Sequence, residues 1–330
     1  MNGKFKEGTI IKGKELKGFI LCKVLSEDMC MNGFQYKMGM NVDVKRFAVK
    51  GSCKAGLHFC LIKDICNYLH YGSNLALVGI PDDENVYVDR GKFRTHRLEI
   101  QKMMPLSGTA AWKYLYENGA DITVCDNYAV RWAASWGCLE VLKYLHKNGA
   151  DITASSNEPV CWASLNGHLE TVKYLCENGA DITAYNNSAV RWASENGHLD
   201  VVKYLYGNGA DIAACHSMGV CLTAKNGHLE TVKYLCENGA DITAYNNSAV
   251  CWASENGHLD VVKYLYENGA DITASDNSAV RWASENGHLE TVKYLYENGA
   301  DITADDNYAV RYAAENGYED VVDYLKAKMQ

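Results

Sequence analysis

The stretch Asn178–Gly207, NGADITAYNNSAVRWASENGHLDVVKYLYG, decides the fold, because its NGAD phase returns at Asn118, Asn148, Asn208, Asn238, Asn268 and Asn298. Self-similarity at a fixed period of 20 to 50 residues marks a solenoid, in which each unit buries its apolar face only against its neighbours. Within one period the residues predict two helices. Ser188 is placed to cap the first, through Ala189, Val190, Trp192, Ala193 and Glu195, and Asn196-Gly197 stops it. The second runs from about His198 to Tyr206, with Leu199, Val202 and Leu205 at helical spacing and Val201 and Tyr204 widening the apolar arc. Glu290, Lys293 and Glu297 mark the polar stripe in a cleaner copy.

A half-unit at Thr109–Glu117 precedes six complete units, beginning at Tyr128, Glu158, Ser188, Met218, Ser248 and Ser278. A partial unit from Tyr308 closes the array with Glu319, Asp320 and Asp323, the polar outer face of a terminal cap. The unit at Met218 is irregular, with Gly219 early in its helix and Leu222 in the Trp phase, and is expected to be the soft point.

Residues 1–106 hold no copy of the repeat. Thr9–Lys12, Phe19–Leu25, Gly33–Gly39, Asn74–Ile80, Val86–Val88 and Arg94–Ile100 read as strands, with a helix through Asp64, Ile65, Tyr68 and Leu69. The expectation is therefore a small α+β domain over 1–106 and an α-solenoid of helix-turn-helix repeats over 107–330.

Charge divides at the same place. Residues 1–106 carry 17 Lys+Arg against 11 Asp+Glu, and the remainder 15 against 30. An acidic array argues against nucleic acid and for a protein partner with a basic surface. There is no apolar run long enough to span a membrane and no secretory h-region, so an intracellular protein is expected. Thirteen cysteines, odd in number and without framework spacing, read as reduced thiols.

Several side chains invite chemistry. Trp132, Trp162, Trp192, Trp252 and Trp282 share one phase and read as inter-repeat core. His168, His198, His228, His258 and His288 are spaced too far apart for one metal and are expected to fix the inter-helix turn by hydrogen bonding. Cys53, His58, Cys60 and Cys66 lack a C-x2-C pair, so no metal and no cofactor is expected. Arg191/Glu195, Arg281/Glu285 and Arg311/Glu315 sit four apart, as solvated pairs or as a groove lining.

The elements NGHLETVKYLxENGADIT and SAVRWAS resemble the ankyrin repeat, and more narrowly the ankyrin proteins of large DNA viruses of amoebae, over about residues 107–330. The unit departs from the family in replacing T-P-L-H by Ser-Ala-Val-Arg. It is also three residues shorter than usual, a loss that falls between Ala184 and Ser188. The resemblance implies a protein–protein interaction module, here with short fingers, directed at a host protein in the host cytoplasm. Positions that vary between copies are the expected contact residues: Cys125, Ser155, Tyr185, Cys215, Tyr245, Ser275 and Asp305 in the fingers, with Ser135, Leu165, Glu195, Lys225, Glu255 and Glu285 on the first helices. Arg191 and Arg281 join them if the groove is used, and Trp136 is the expected exposed anchor. The GFQYxxG and GLHFC stretches resemble an uncharacterised domain of phage and amoebal-virus proteins. Gly56–Cys60 followed by Asp64–Tyr68 also resembles a strand-helix segment of ADP-ribosyltransferase-like folds. That likeness implies Glu99 as the acidic residue, and a transferase domain targeted by the array is the alternative function. A purely structural viral protein is a third.

Overall fold

The computed structural model describes residues 5–43, 56–211 and 218–330. They form two compact units, Met1–Ser155 and Ser156–Gln330.

The first unit is built on strands β1 (Ile10–Lys12), β2 (Leu21–Leu25), β3 (Cys30–Met31), β4 (Phe34–Gln35), β5 (Gly39–Val42), β6 (Leu57–Leu61), β7 (Asn74–Gly79), β8 (Asn85–Val88), β9 (Phe93–Thr95) and β10 (Arg97–Pro105). Eight of them make one antiparallel sheet in the order β1-β8-β9-β6-β2-β7-β10-β5, and β3 and β4 pair separately. Leu21, Leu25, Phe59, Val78, Val86, Phe93 and Ile100 pack on one face, with the Phe59 and Phe93 rings stacked at 5.3 Å. β2 is buried along its whole length, since the 3-10 helix Ile62–Tyr71 covers its other face. A strand enclosed on both faces reads as a continuous apolar run, and Phe19–Leu25 is one but for Lys23.

Two expected strands divide. Gly33–Gly39 contributes Phe34–Gln35 as β4 and its last residue to the start of β5, and Arg94–Ile100 breaks at His96 into β9 and β10. At the break Glu84 accepts from the His96 amide (3.2 Å), the Thr95 hydroxyl (3.0 Å) and Arg97 Nε (2.6 Å), bonds that hold the corner open. α1 (Thr109–Glu117) follows, anchored by Trp112, which is fully buried and donates its indole N–H to the Leu106 carbonyl at 2.7 Å. α2 (Val124–Ser135) packs on the 3-10 helix, where the Cys125 thiol donates to Asn67 Oδ1 at 3.0 Å, and α3 (Leu139–Lys147) completes the pair. The half-unit and first full unit thus share one body with the sheet.

The second unit is a stack of helix pairs. After α4 (Ala154–Leu165) and α5 (Leu169–Glu177) come α6 (Ala184–Glu195) with α7 (Leu199–Gly207), and α8 (Met218–Lys225) with α9 (Leu229–Glu237). α10 (Ala244–Glu255) with α11 (Leu259–Glu267), α12 (Ala274–Glu285) with α13 (Leu289–Glu297), and α14 (Ala304–Glu315) with α15 (Glu319–Lys328) complete it. In each first helix the core-facing residues are small. Ala189, Val190, Ala193 and Ser194 are buried, as are Ala249, Val250, Ala253 and Ser254, and small residues let helices approach closely. Val201, Val202 and Leu205 supply the apolar face of the second helix.

The missing three residues per unit leave a distinct finger. Tyr185, Asn186 and Asn187 have φ of 51°, 54° and 57°, a single left-handed turn in place of a hairpin. Tyr245–Asn247, Ser275–Asn277 and Asp305–Asn307 repeat it, and Cys125–Asn127 shows it in the first unit. Left-handed conformation costs most residues roughly 1–2 kcal/mol and Asn and Asp less, which accounts for their choice at the second and third positions. The turn also overturns the expected cap. Ser188 donates its hydroxyl to the Tyr185 carbonyl at 2.7 Å instead of accepting from helix amides, because the reversed handedness turns that carbonyl toward it.

Candidate protein-binding groove

The turn and its helix together form the groove. Asp181 accepts from the Thr183 amide (2.8 Å) and hydroxyl (2.7 Å), fixing the entry and holding its carboxyl below the usual range. The Asn187 amide then bonds the Thr183 carbonyl at 3.0 Å, which closes the turn and projects Tyr185 outward, 56% exposed. Arg191, one turn into the right-handed helix, donates to Ser188 Oγ at 3.1 Å, while its Nε has no hydrogen-bond partner. Tyr185, Asn186, Ser188, Arg191 and Trp192 line a groove of about 450 Å³ with Glu158 and Cys161 of the preceding pair. Burial first, and then the Glu158 carboxylate, push the Cys161 thiol up to about 11, so it stays protonated. A guanidinium beside a tyrosine and an indole can take a carboxylate or a carbonyl while the rings stack an apolar side chain.

Of the sequence-derived contact residues, the structure brings Tyr185 and Arg191 into this groove. Tyr245, 53% exposed, holds the equivalent left-handed position two pairs further on. Trp136 in the first unit is 59% exposed, with its ring 6.1 Å from that of Trp132. Lys225 is exposed and lies over the Trp252 ring at 5.8 Å. Leu165, Glu195 and Glu255 are tied into the stack by their main-chain carbonyls, and Arg281 and Glu285 by their side chains. The Leu165 and Glu255 carbonyls bond the Nε2 atoms of His198 and His288 at 3.0 Å, and the Glu195 carbonyl accepts from Asn226 at 2.8 Å. Arg281 pairs with Asp305 of the next unit, and Glu285 accepts from the Tyr308 hydroxyl at 2.7 Å. Arg281 and Arg191 both turn back toward their fingers, so neither makes the four-apart pair with Glu285 or Glu195 that helix spacing suggested.

The tryptophan phase departs from its core reading. Trp132 is 5% exposed, but Trp162 is 36% exposed and Trp192, Trp252 and Trp282 are only half-buried. The small Ala and Val residues fill the interior and leave the indoles toward the surface, where Trp162 leans on Trp192 at 5.8 Å. Trp192, Cys161 and Glu158 are therefore groove residues that sequence reasoning missed. Their signal was the ladder itself, an aromatic phase adjacent to a variable finger. Glu99 stands exposed on β10, where Gln101 donates to it at 3.4 Å. Cys53 and Cys215 lie outside the described residues. Among the described residues no three His, Cys, Asp or Glu side chains gather to hold a metal, and no helix is long and apolar enough to cross a membrane.

Family models for ankyrin repeats match residues 130–216 and 192–276 (three copies) and 280–325 (many copies), and a model for a domain of unknown function, DUF7666, matches 19–111. An uncharacterised protein of Acanthamoeba polyphaga mimivirus, R869, is 35% identical over 131 residues, covering 36% of this chain and 92% of its own. The putative ankyrin repeat protein R868 of the same virus is 28% identical over 137 residues, covering 39% and 67%. Among solved structures, the human ASB11 ankyrin repeat domain superposes with a TM-score of 0.52 at 23% identity, over 59% of this chain and 96% of that one.

Proposed function

Because this chain belongs to the ankyrin-repeat family, we propose that its array is a protein-interaction scaffold whose contact surface is the row of left-handed fingers and the groove beside Tyr185. The chain then divides by role near residue 106, with recognition in 107–330. The observation that carries this is Tyr185 itself. A large aromatic residue is held at φ 51° and 56% exposed, an arrangement that a purely structural turn does not need. The acidic balance of the array favours a partner with a basic surface, and the mimivirus relatives favour a host protein met in the cytoplasm of an infected cell.

The test is capture from amoebal lysate on the immobilised full chain, compared with Tyr185→Ala, Tyr245→Ala and Arg191→Glu. Each aromatic truncation is expected to weaken retention about tenfold, the scale of an interface anchor. Equal retention of the same protein by all three variants would remove the fingers and groove from the contact surface.

A further inference from the structure

The first unit holds a second cavity, lined by residues of its sheet and 3-10 helix. β2 and β6 pair only at Leu21–Leu61 and Cys22–Cys60, and beyond these residues their ladder stops. A slot of about 60 Å³ lies where it stops, and Tyr71, 42% exposed, and the half-buried Lys92 bring its lining to the surface. Lys23 of β2 lines the slot and is only 4% exposed. Its Nζ donates to the His58 carbonyl at 3.0 Å and to Met31 Sδ at 3.2 Å, and the Tyr36 ring lies 4.8 Å away. Among the described residues no carboxylate pairs with it, and residues 1–4, 44–55 and 212–217 contain no Asp or Glu.

A buried ammonium without a counter-ion is costly. Two donated hydrogen bonds are all that a neutral amine can give, and they leave its lone pair over. Burial, offset in part by the Cys60 thiol and reinforced by the Lys92 ammonium, brings Lys23 down to about 7, so about half of it is neutral at pH 7. Desolvation beside a second cation is the environment that turns a lysine into a nucleophile. His58 also lines the slot. Its Nε2 has no hydrogen-bond partner, and burial together with Lys92, Lys23 and Arg94 brings it to about 4, so it is a neutral imidazole. Burial raises the Tyr68 hydroxyl, so it keeps its proton.

We propose that this slot binds a small 2-oxo acid covalently, with Lys23 attacking the ketone carbon and Lys92 at the mouth holding the carboxylate. The Lys23 nitrogen forms a bond to carbon as the C=O π pair moves to oxygen. The nitrogen releases a proton and the oxygen gains one, a transfer the Tyr68 hydroxyl relays by giving its own proton to the oxygen and taking the one from nitrogen, so that it ends as it began. The carbinolamine then expels that oxygen as water, leaving an imine, and hydrolysis reverses the sequence. Phe59, Tyr68 and Tyr71 supply apolar walls for the remainder of the ligand.

The test is reductive trapping on the full chain with pyruvate and cyanoborohydride, followed by peptide mapping. Lys23 is expected to carry a carboxyethyl group at a rate at least about tenfold above any other lysine, since its neutral fraction at pH 7 is on the order of a thousand times that of an ordinary lysine. The rate at Lys23 should level off near pH 7.5, while surface lysines keep gaining to above pH 10. This arm needs no variant, and so does not depend on any substitution at Lys23 folding. Lys92→Ala should slow trapping of both ketones, because Lys23 loses its neighbouring cation, but slow that of pyruvate severalfold more than that of acetone, because only pyruvate also loses the carboxylate seat. Labels spread over lysines according to exposure, or an unlabelled Lys23, would overturn the site. Equal trapping of acetone and pyruvate in the wild type would overturn the carboxylate seat.

Discussion

Asn187 Oδ1 accepts the amide N–H of Asp211 at 2.9 Å, tying the left-handed turn of one repeat to the entry of the next. The same bond joins Asn127 to Asp151, Asn157 to Asp181 (2.8 Å), Asn247 to Asp271 and Asn277 to Asp301. One residue type meets two demands, tolerance of positive φ and an acceptor aimed across the repeat boundary. Removing the acceptor forfeits this part-buried hydrogen bond, at about 0.5–1.5 kcal/mol. Asn187→Gly is expected to cost that much. Asn187→Ala should cost about 1 kcal/mol more, because its Cβ must enter the left-handed region. Urea denaturation of the two variants gives the order, and an alanine variant as stable as the glycine one contradicts the account.

This ladder shows what the sequence concealed. The period, the helix pairs and the Gly stops were legible because each is a local preference repeated in register. The turn was not, because Asn-Asn-Ser before an apolar run reads as a helix cap, and only the three-residue shortening signals a reversal of hand. In the sheet, Phe19–Leu25 was legible as a strand by its apolar run, but the order β6-β2-β7 depends on pairings distant in sequence. Lys23 had a signal that went unread, a single cation inside a run otherwise fit for burial on both faces. The groove at Tyr185 was half legible. Variation between copies pointed to Tyr185, whereas Trp192 and Cys161 looked like core until the small Ala and Val residues were seen to fill it.

The histidine ladder predicts a pH response. His228 sits against Gly197 of the preceding unit, where any Cβ would strike its ring, and its pKa lies below 6.5 through burial and then repulsion from His198 and His258. Above pH 6.5 the ring is neutral in both folded and unfolded chains. As pH falls below that value the unfolded chain takes up the proton first, so stability is lost. Denaturant midpoints should therefore drop between pH 7.5 and 5, and His228→Gln should lessen the drop, with His58, lowered to about 4, keeping the remainder. An unchanged slope in the variant would assign the response to other groups.

The unit at Met218 is expected to open most readily. Gly219 is buried in α8 where the equivalent residues of other units are Ala189, Ala249 and Ala279, and a helical glycine costs about 1 kcal/mol relative to alanine. Leu222 also removes the indole that Trp192 and Trp252 supply to their helices. Amides of Cys221–Lys225 should exchange about fivefold faster than those of Cys251–Glu255, and Gly219→Ala should close most of the gap. Exchange no faster than in the neighbouring first helices defeats the idea.

The buried lysine makes a prediction independent of any ligand. Lys23 titrates at about 7 in the folded protein against 10.5 in its ordinary state. Between those values the unfolded chain binds the extra proton, so stability rises with pH, whereas below 7 both states are charged and the contribution is flat. The buried thiols act in the opposite sense at higher pH. Cys66 is pushed up to about 12 from 9.0, so the unfolded chain loses that proton first and stability declines. The rise due to Lys23 is thus confined to roughly pH 7 to 8.5. Lys23→Met keeps the length of the side chain and removes the charge. The stability of this variant relative to wild type should therefore be greatest near pH 6.5 and shrink by pH 8.5. Denaturation of both proteins at those two values measures it, and a difference that does not change with pH would mean that Lys23 is not held near neutrality.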